Sequence, residues 1–276
     1  MSERRDDPRP DDALQTAARA LARSARLAVF TGAGVSKESG IPTFRDPGGL
    51  WSRFDPDEFG TWTGLARLAD LRPTALADFL AAIRRTFSRA SPSPGHAALA
   101  RLERQGVLRA VVTQNVDGLH QDAGSREVVE IHGSFRRTQC LRCGHRDDIG
   151  RAGLLGFLDR AVVGLRSAFV GGLESILARC SRCSGPARPA FVAFGELPHD
   201  MDRAEELART SRAMLVVGTS GDVLPAAALP EMTRAAGGTV VVVSSGTTTI
   251  RADVRVEGPA GEVLPRLADA VVAARR

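Results

Sequence analysis

The most specific chemistry in this chain is carried by two pairs of cysteines. Cys140-Leu-Arg-Cys143 and Cys180-Ser-Arg-Cys183 are both CxxC hairpins. Two such hairpins can set four thiolates at the corners of a tetrahedron, the geometry of a closed structural zinc site. A dithiol redox pair is the rival reading, but redox chemistry has no need of a second copy. His145 is near enough in sequence to compete as a ligand, although four thiolates already saturate the metal.

Further polar clusters follow apolar runs. In Thr31-Gly-Ala-Gly-Val-Ser-Lys-Glu-Ser-Gly-Ile-Pro-Thr-Phe-Arg45, Gly32 and Gly34 allow a tight turn and a close approach to phosphate. Alone, such a turn is an ordinary strand-to-helix connection. The third glycine of a GxGxxG fingerprint would fall at Lys37, which disfavours a conventional dehydrogenase. In Thr113-Gln-Asn-Val-Asp-Gly-Leu-His120, Gln114, Asn115 and Asp117 can bond ribose hydroxyls or a carboxamide, or can simply cap a helix. Glu130-Ile-His-Gly-Ser134 offers His132, which titrates near neutrality and could act as a general base. Gly218-Thr219-Ser220 supplies more N–H and hydroxyl donors. Phe191-Val-Ala-Phe-Gly-Glu196 reads as an extended edge that can pair with a peptide by strand addition.

These groups need a scaffold that gathers strand ends. Apolar runs predict strands at Leu27–Thr31, Leu108–Thr113, Val128–Ile131, Met214–Gly218, Thr239–Ser244 and Val254–Val256. Helical patterns lie at Asp12–Ser24, Ala97–Gln105, Asp202–Ser211, Ala226–Ala236 and Glu262–Ala274. This alternation is the mark of an α/β fold with a Rossmann-like parallel sheet, whose ligands sit beyond the carboxyl ends of the strands. The expected division has a lead-in at 1–12, disordered by its Arg, Asp and Pro content, and a Rossmann-like domain at 13–45, 96–137 and 188–276. A helical module covers 46–95, and a small zinc module with a long inserted helix covers 138–187.

The formal charge of +5 rests almost wholly on arginine, since Lys37 is the single lysine. No basic run with interleaved aromatics stands out, so nucleic acid is not expected as a primary partner. The apolar stretch 153–178 is interrupted by Asp159, Arg160, Arg166 and Glu174, too often for a membrane span. A cytoplasmic location follows, and cysteines there are better suited to metal than to disulfides.

Taken in order, GAGVSKESGIPTFRDPGGLW, TQNVDGLHQDAG, HGS, the two CxxC pairs, FGELP and GTSGDVLPA resemble the sirtuins over roughly residues 25–270. The resemblance implies an NAD-dependent protein-lysine deacylase that consumes NAD. The acyl oxygen attacks the nicotinamide ribose, nicotinamide leaves, and lysine is freed as O-acyl-ADP-ribose forms. It implies that His132 is the catalytic base, with Asn115 beside it. Gly32, Ala33, Gly34, Thr43, Phe44, Arg45, Gln114, Asn115, Asp117, Gly218, Thr219, Ser220, Ser244 and Ser245 would contact NAD, and Val192, Phe194 and Gly195 the acyl-lysine peptide. Cys140, Cys143, Cys180 and Cys183 would hold one structural zinc away from the chemistry. An NAD glycohydrolase or ADP-ribosyltransferase on the same scaffold is the alternative.

Three features depart from the family pattern. Ser244 and Ser245 stand where relatives often carry Asn. The cysteine pairs are unusually far apart, with residues 144–179 between them, and Leu154, Leu155, Leu158, Val162 and Leu165 predict a helix there that docks on the core. The chain has no tyrosine, so the Tyr–Arg pair that reads charged acyl groups in one branch of the family is incomplete. Arg84 or Arg85 could match its arginine. A neutral acyl group, acetyl first, is therefore expected.

Overall fold

The computed structural model describes residues 10–43, 49–167 and 172–275. Phe44 and Arg45 lie outside the described residues, as does the lead-in up to residue 9.

The strands are β1 Leu27–Thr31, β2 Leu108–Thr113, β3 Val128–Glu130, β4 Gly133–Cys140, β5 Arg146–Asp148, β6 Ala178–Arg179, β7 Pro186–Phe191, β8 Ala213–Val217, β9 Thr239–Ser244 and β10 Val254–Glu257. The α-helices are α1 Pro10–Ala22, α2 Pro56–Phe59, α3 Trp62–Leu71, α4 Pro73–Arg89, α5 Pro94–Arg104, α6 Leu119–Asp122, α7 Gly150–Arg166, α8 Met201–Thr210, α9 Leu229–Ala235 and α10 Ala260–Ala273.

A parallel sheet of six strands in the order β10-β9-β8-β1-β2-β3 forms the main layer. Its central strands are buried on both faces, as LAVFT and AMLVV show, so apolar runs rather than alternation encode them. Residues of α1, α5 and α10 cover one face, with Leu21, Leu99 and Leu267 in its core. Residues of α8 and α9 cover the other, where Leu207 and Leu229 meet Phe30 and Val216. The chain moves outward one way through β1, β2 and β3 and the other way through β8, β9 and β10. The switch point therefore lies between β1 and β8, where an open sheet offers a cleft.

Several boundaries differ from the sequence expectation. Helix α1 starts at Pro10, so Asp11 and Asp12 belong to its first turn and not to a disordered lead-in; carboxylates there face the positive end of the helix dipole. The helix expected from Ala226 is a 3-10 turn, Ala226–Ala228, followed by α9. Pro230 in the first turn of α9 has no N–H to join the two into one ladder.

A second, antiparallel sheet, ordered β5-β4-β7-β6, was not legible in the pattern. Its segments GSFRRTQC, RDD and PARPAF lack the period-two alternation that marks half-buried strands. The inserted helix is present as α7 and docks inward. Leu154, Phe157, Leu158 and Leu165 share one buried cluster with Leu68, Leu76, Phe79 and Ile83 of α3 and α4. Arg166 pairs with Asp78 at 2.8 Å, and Arg151 donates to the carbonyls of Phe87 and Ala90. Among the described residues no helix is long and apolar enough to cross a membrane.

Candidate active site

The loops after β1 and β8 touch through their backbones. Gly32 N–H donates to Val217 O at 3.0 Å and Gly34 N–H to Gly218 O at 2.8 Å. A Cβ on Gly34 would lie 2.6 Å from Gly218 Cα, so a larger residue would force the two loops apart. The amides of Gly32 and Gly34 are spent on the neighbouring loop, and the glycines serve close packing at the switch point. Ala33 and Gly34 remain partly exposed. Thr43 follows, its buried hydroxyl without a partner among the described residues, an orphan that a polar ligand would satisfy.

The loop after β2 crosses this cleft. Gln114 Nε2 donates to Thr219 Oγ1 at 2.9 Å, tying it to the β8 loop. Asn115 is buried, and its Nδ2 donates to Gly32 O and to Ser36 Oγ, both at 3.1 Å. With both donors turned inward, its Oδ1 is what the side chain can offer a ligand. Asp117 is buried too. It accepts from Ser36 Oγ at 2.7 Å and from Leu119 N–H at 2.9 Å. Burial raises its pKa above the usual carboxylate value, against the lowering effect of those donors and of Arg136.

His132 lies at the joint between the two sheets, after β3 and before β4. Its Nδ1 is 3.1 Å from the carbonyl oxygen of Gln114. A carbonyl only accepts, so Nδ1 carries the proton and Nε2 presents a lone pair. Burial lowers the pKa of His132, the Gln114 carbonyl partly restores it, and His199 lowers it again. The result is an imidazole kept neutral and able to take a proton.

The segment 192–196 runs beside this histidine. Val192 N–H donates to His132 O at 2.8 Å, and Phe194 N–H to Gly60 O at 2.9 Å. Phe194 is half exposed and faces Trp51, with ring centroids 5.8 Å apart. Gly195 turns at a φ of 88°. Glu196 folds back to accept from Trp62 Nε1, Ala193 N–H and both terminal nitrogens of Arg188. Ser220 and Ser245 are exposed at the same sheet edge. Ser244 is engaged locally, its hydroxyl donating to Gly246 O at 3.0 Å.

Sequence reasoning missed the layer beneath these groups. His96 is fully buried; Ser93 N–H donates to its Nδ1 at 3.2 Å, so its Nε2 donates to Ser36 Oγ at 3.4 Å. Burial lowers the His96 pKa to about 4. His120 stacks edge-on against it, with centroids 4.7 Å apart. Ser36 and His120 stand inside motifs already singled out. His96 lies in a Ser-Pro-Gly-His turn that carries no periodic signal.

The four cysteines converge away from this cleft. Cys140 Sγ and Cys183 Sγ are 3.5 Å apart, Cys143 Sγ and Cys180 Sγ are 3.8 Å apart, and all four lie within 4.8 Å of one another. A tetrahedron with Zn–S bonds of about 2.3 Å has edges of roughly 3.8 Å, so the set fits zinc. His145 is turned to Asp147 at 3.3 Å and is not one of the cluster. Arg84 is taken up by Asp159 of α7, and Arg85 is exposed.

The model of the Sir2 family matches residues 32–225. The chain is 40% identical over 263 residues to the NAD-dependent protein deacylase of Desulfosudis oleivorans, covering 95% of this chain and 96% of that one. It is 46% identical to NAD-dependent protein deacylase 2 of Pyrobaculum aerophilum, covering 91% and 93%. Among solved structures, a Sir2 homolog in complex with NAD superposes with a TM-score of 0.76 at 34% identity, covering 95% of both chains.

Proposed function

The chain belongs to the Sir2 family, and from that premise we propose that it acts as an NAD-dependent protein-lysine deacylase, foremost a deacetylase. The observation that carries this reading is the placement of His132. Its Nδ1 is held by the Gln114 carbonyl of the β2 loop, which leaves Nε2 free to take a proton, and its carbonyl anchors the extended segment at Val192.

NAD supplies the ribose carbon that accepts the acyl oxygen, with nicotinamide as leaving group. The chain's own residues do the rest. Ala33, Gly34, Thr43, Gln114, Gly218, Thr219 and Ser220 border the dinucleotide, with Ser245 on the adenosine side. The orphaned Thr43 hydroxyl and the inward-spent amide of Asn115 suit that ligand. Asp117, held by Ser36 and Leu119, is placed to accept from a carboxamide. His132 takes a proton from a ribose hydroxyl through Nε2 while Gln114 O fixes its tautomer. Val192, Phe194 and Gly195 border the acyl-lysine, and an extended substrate pairs with that segment by strand addition.

The cysteine cluster holds one structural zinc. Cys140 is the far end of β4 from Gly133, about 20 Å of strand, too far for the metal to touch the reaction. The sheet and its helices form the dinucleotide domain, with 46–95 as a helical module and 138–187 as the zinc module. Cysteines kept as metal-binding thiolates suit the reducing cytoplasm. Acyl-lysine proteins are the partners, and nucleic acid is not a primary one.

The test is nicotinamide release from NAD with and without acyl-lysine peptides, for the wild type and His132→Ala. Peptide-dependent release that the substitution abolishes supports the deacylase. Release without peptide points to a glycohydrolase or ADP-ribosyltransferase, and no release at all overturns the enzymatic reading.

A further inference from the structure

The β2 loop that carries Asn115 is braced from below by a chain of hydroxyls ending on His120. Asn115 N–H donates to Thr113 Oγ1 at 3.0 Å. Thr31 Oγ1, at the end of the neighbouring strand, donates to Thr113 Oγ1 at 2.8 Å. His120 Nε2 lies 3.0 Å from Thr31 Oγ1. With the Thr31 proton directed at Thr113, Thr31 can only accept from the ring, so Nε2 carries the imidazole proton. Nδ1 is then a bare lone pair, and it is buried with no partner among the described residues.

That arrangement is costly. A buried polar atom without a partner is a penalty that an apolar residue of similar shape would avoid. The ring is 1% exposed, and burial together with neighbouring His96 holds its pKa well below the usual histidine value. A second proton on Nδ1 would find no acceptor, so the donor at Nε2 is constant across neutral pH.

We propose that His120 is a positioning residue for the deacylase reaction, fixing the main chain of Asn115 through Thr31 and Thr113. The hydroxyl chain ties together the ends of β1 and β2, the two strands whose following loops carry Gly32 to Thr43 and Gln114 to Asp117. Asn115 contributes its Oδ1 to that cleft only while its main chain is held there. This inference rests on the deacylase reading, and the experiment separates the two.

The variants are His120→Gln, whose amide nitrogen reaches the place of Nε2, and His120→Asn, whose amide falls short. The readouts are kcat and KM with an acetyl-lysine peptide, and hydrogen exchange of the Asn115 amide measured without substrate. The expected result is a kcat near wild type for Gln and about tenfold lower for Asn, since small misplacements in a site are felt that strongly. KM for the peptide stays within about twofold, and Asn115 exchange accelerates in the Asn variant alone. Thr31→Val breaks the same chain one link on. It should reproduce the kcat loss and add nothing to His120→Asn in the double variant. Equal losses in Gln and Asn that track melting temperature, with unchanged Asn115 exchange, would overturn the proposal. If neither His120 variant folds, Thr31→Val decides: unchanged kcat and exchange overturn it. A wild type that releases no nicotinamide sinks the deacylase reading instead, and exchange at Asn115 still tests the brace.

Discussion

The Nδ1 atom of His132 lies 3.1 Å from the carbonyl oxygen of Gln114, so the loop after β2 sets the tautomer of this imidazole. The same environment, burial first, lowers the pKa of His132 below 6.5. A base works in its neutral form, so turnover should rise with pH through a midpoint below 6.5 and stay level through neutrality. A kcat profile that still climbs between pH 7 and 8 on a single ionisation would contradict this assignment.

Acid stability should report the buried histidines. His96 has a folded pKa of about 4 against an ordinary 6.5, and His120 shifts the same way. Between those values the unfolded chain binds more protons than the folded one, so stability is full above pH 6.5 and falls as pH drops toward 4. The slope is about 1.4 kcal/mol per pH unit for each such histidine. Asp117, with a raised pKa, contributes in the opposite sense, losing stability as pH rises past its unfolded value. Urea midpoints followed from pH 7 to 5 should fall less steeply for His120→Gln than for the wild type. Zinc release in acid affects both proteins, so the difference isolates the histidine.

Metal removal should be felt beyond the metal. The cysteine cluster is joined to β4 and β7, and the segment between its two halves packs α7 into the core shared with α3 and α4. Metal analysis should find one zinc per chain, lost in Cys180→Ser. A chelator should then lower the melting temperature and the affinity for acyl peptide together. Normal turnover with the zinc fully stripped would show that α7 holds the helical module unaided.

Glu196 should act on binding more than on chemistry. Its carboxylate takes four donors from Trp62, Ala193 and Arg188, and Arg188 is only 15% exposed at its side chain. Glu196→Ala leaves that guanidinium half-stranded and frees the segment 192–195, a loss of about 1–3 kcal/mol. KM for acyl-lysine peptide should rise by roughly tenfold or more while kcat changes little. A variant that loses kcat at constant KM would move Glu196 into the chemistry.

Five of the six parallel strands were legible as apolar runs followed by polar loops that carry the motifs, and the edge strand β10, Val-Arg-Val-Glu, as an alternation. Thr113 and Gln114, or Ile131 and His132, sit together in sequence because the cleft lies where strands end. The second sheet was hidden, since its strands pair through prolines and arginines around the cysteine cluster. His96 was hidden for another reason: its partner Ser36 is far off in the chain, and only the packing of α5 brings them together. Gly34 permits a close approach, here to Gly218 of the β8 loop.

The acyl group is where Arg84 matters. Its Nε meets Asp159 Oδ1 at 2.9 Å and its terminal nitrogen meets Oδ2 at 3.2 Å. This fork is provided by the inserted helix and uses the guanidinium face that would hold an acyl carboxylate. Phe54, Phe59 and Phe79, with centroids 5.0 Å apart, leave the neighbouring core aromatic. Acetyl-lysine peptide should therefore exceed succinyl-lysine peptide in kcat/KM by about tenfold or more. Asp159→Ala should cost about 1 kcal/mol or less in stability, because both side chains are well exposed. It should also narrow the acetyl preference by freeing Arg84. If succinyl turnover matches acetyl in the wild type, Arg85 or another cation reads the carboxylate. If the ratio is unmoved by Asp159→Ala, the pocket walls alone set the preference.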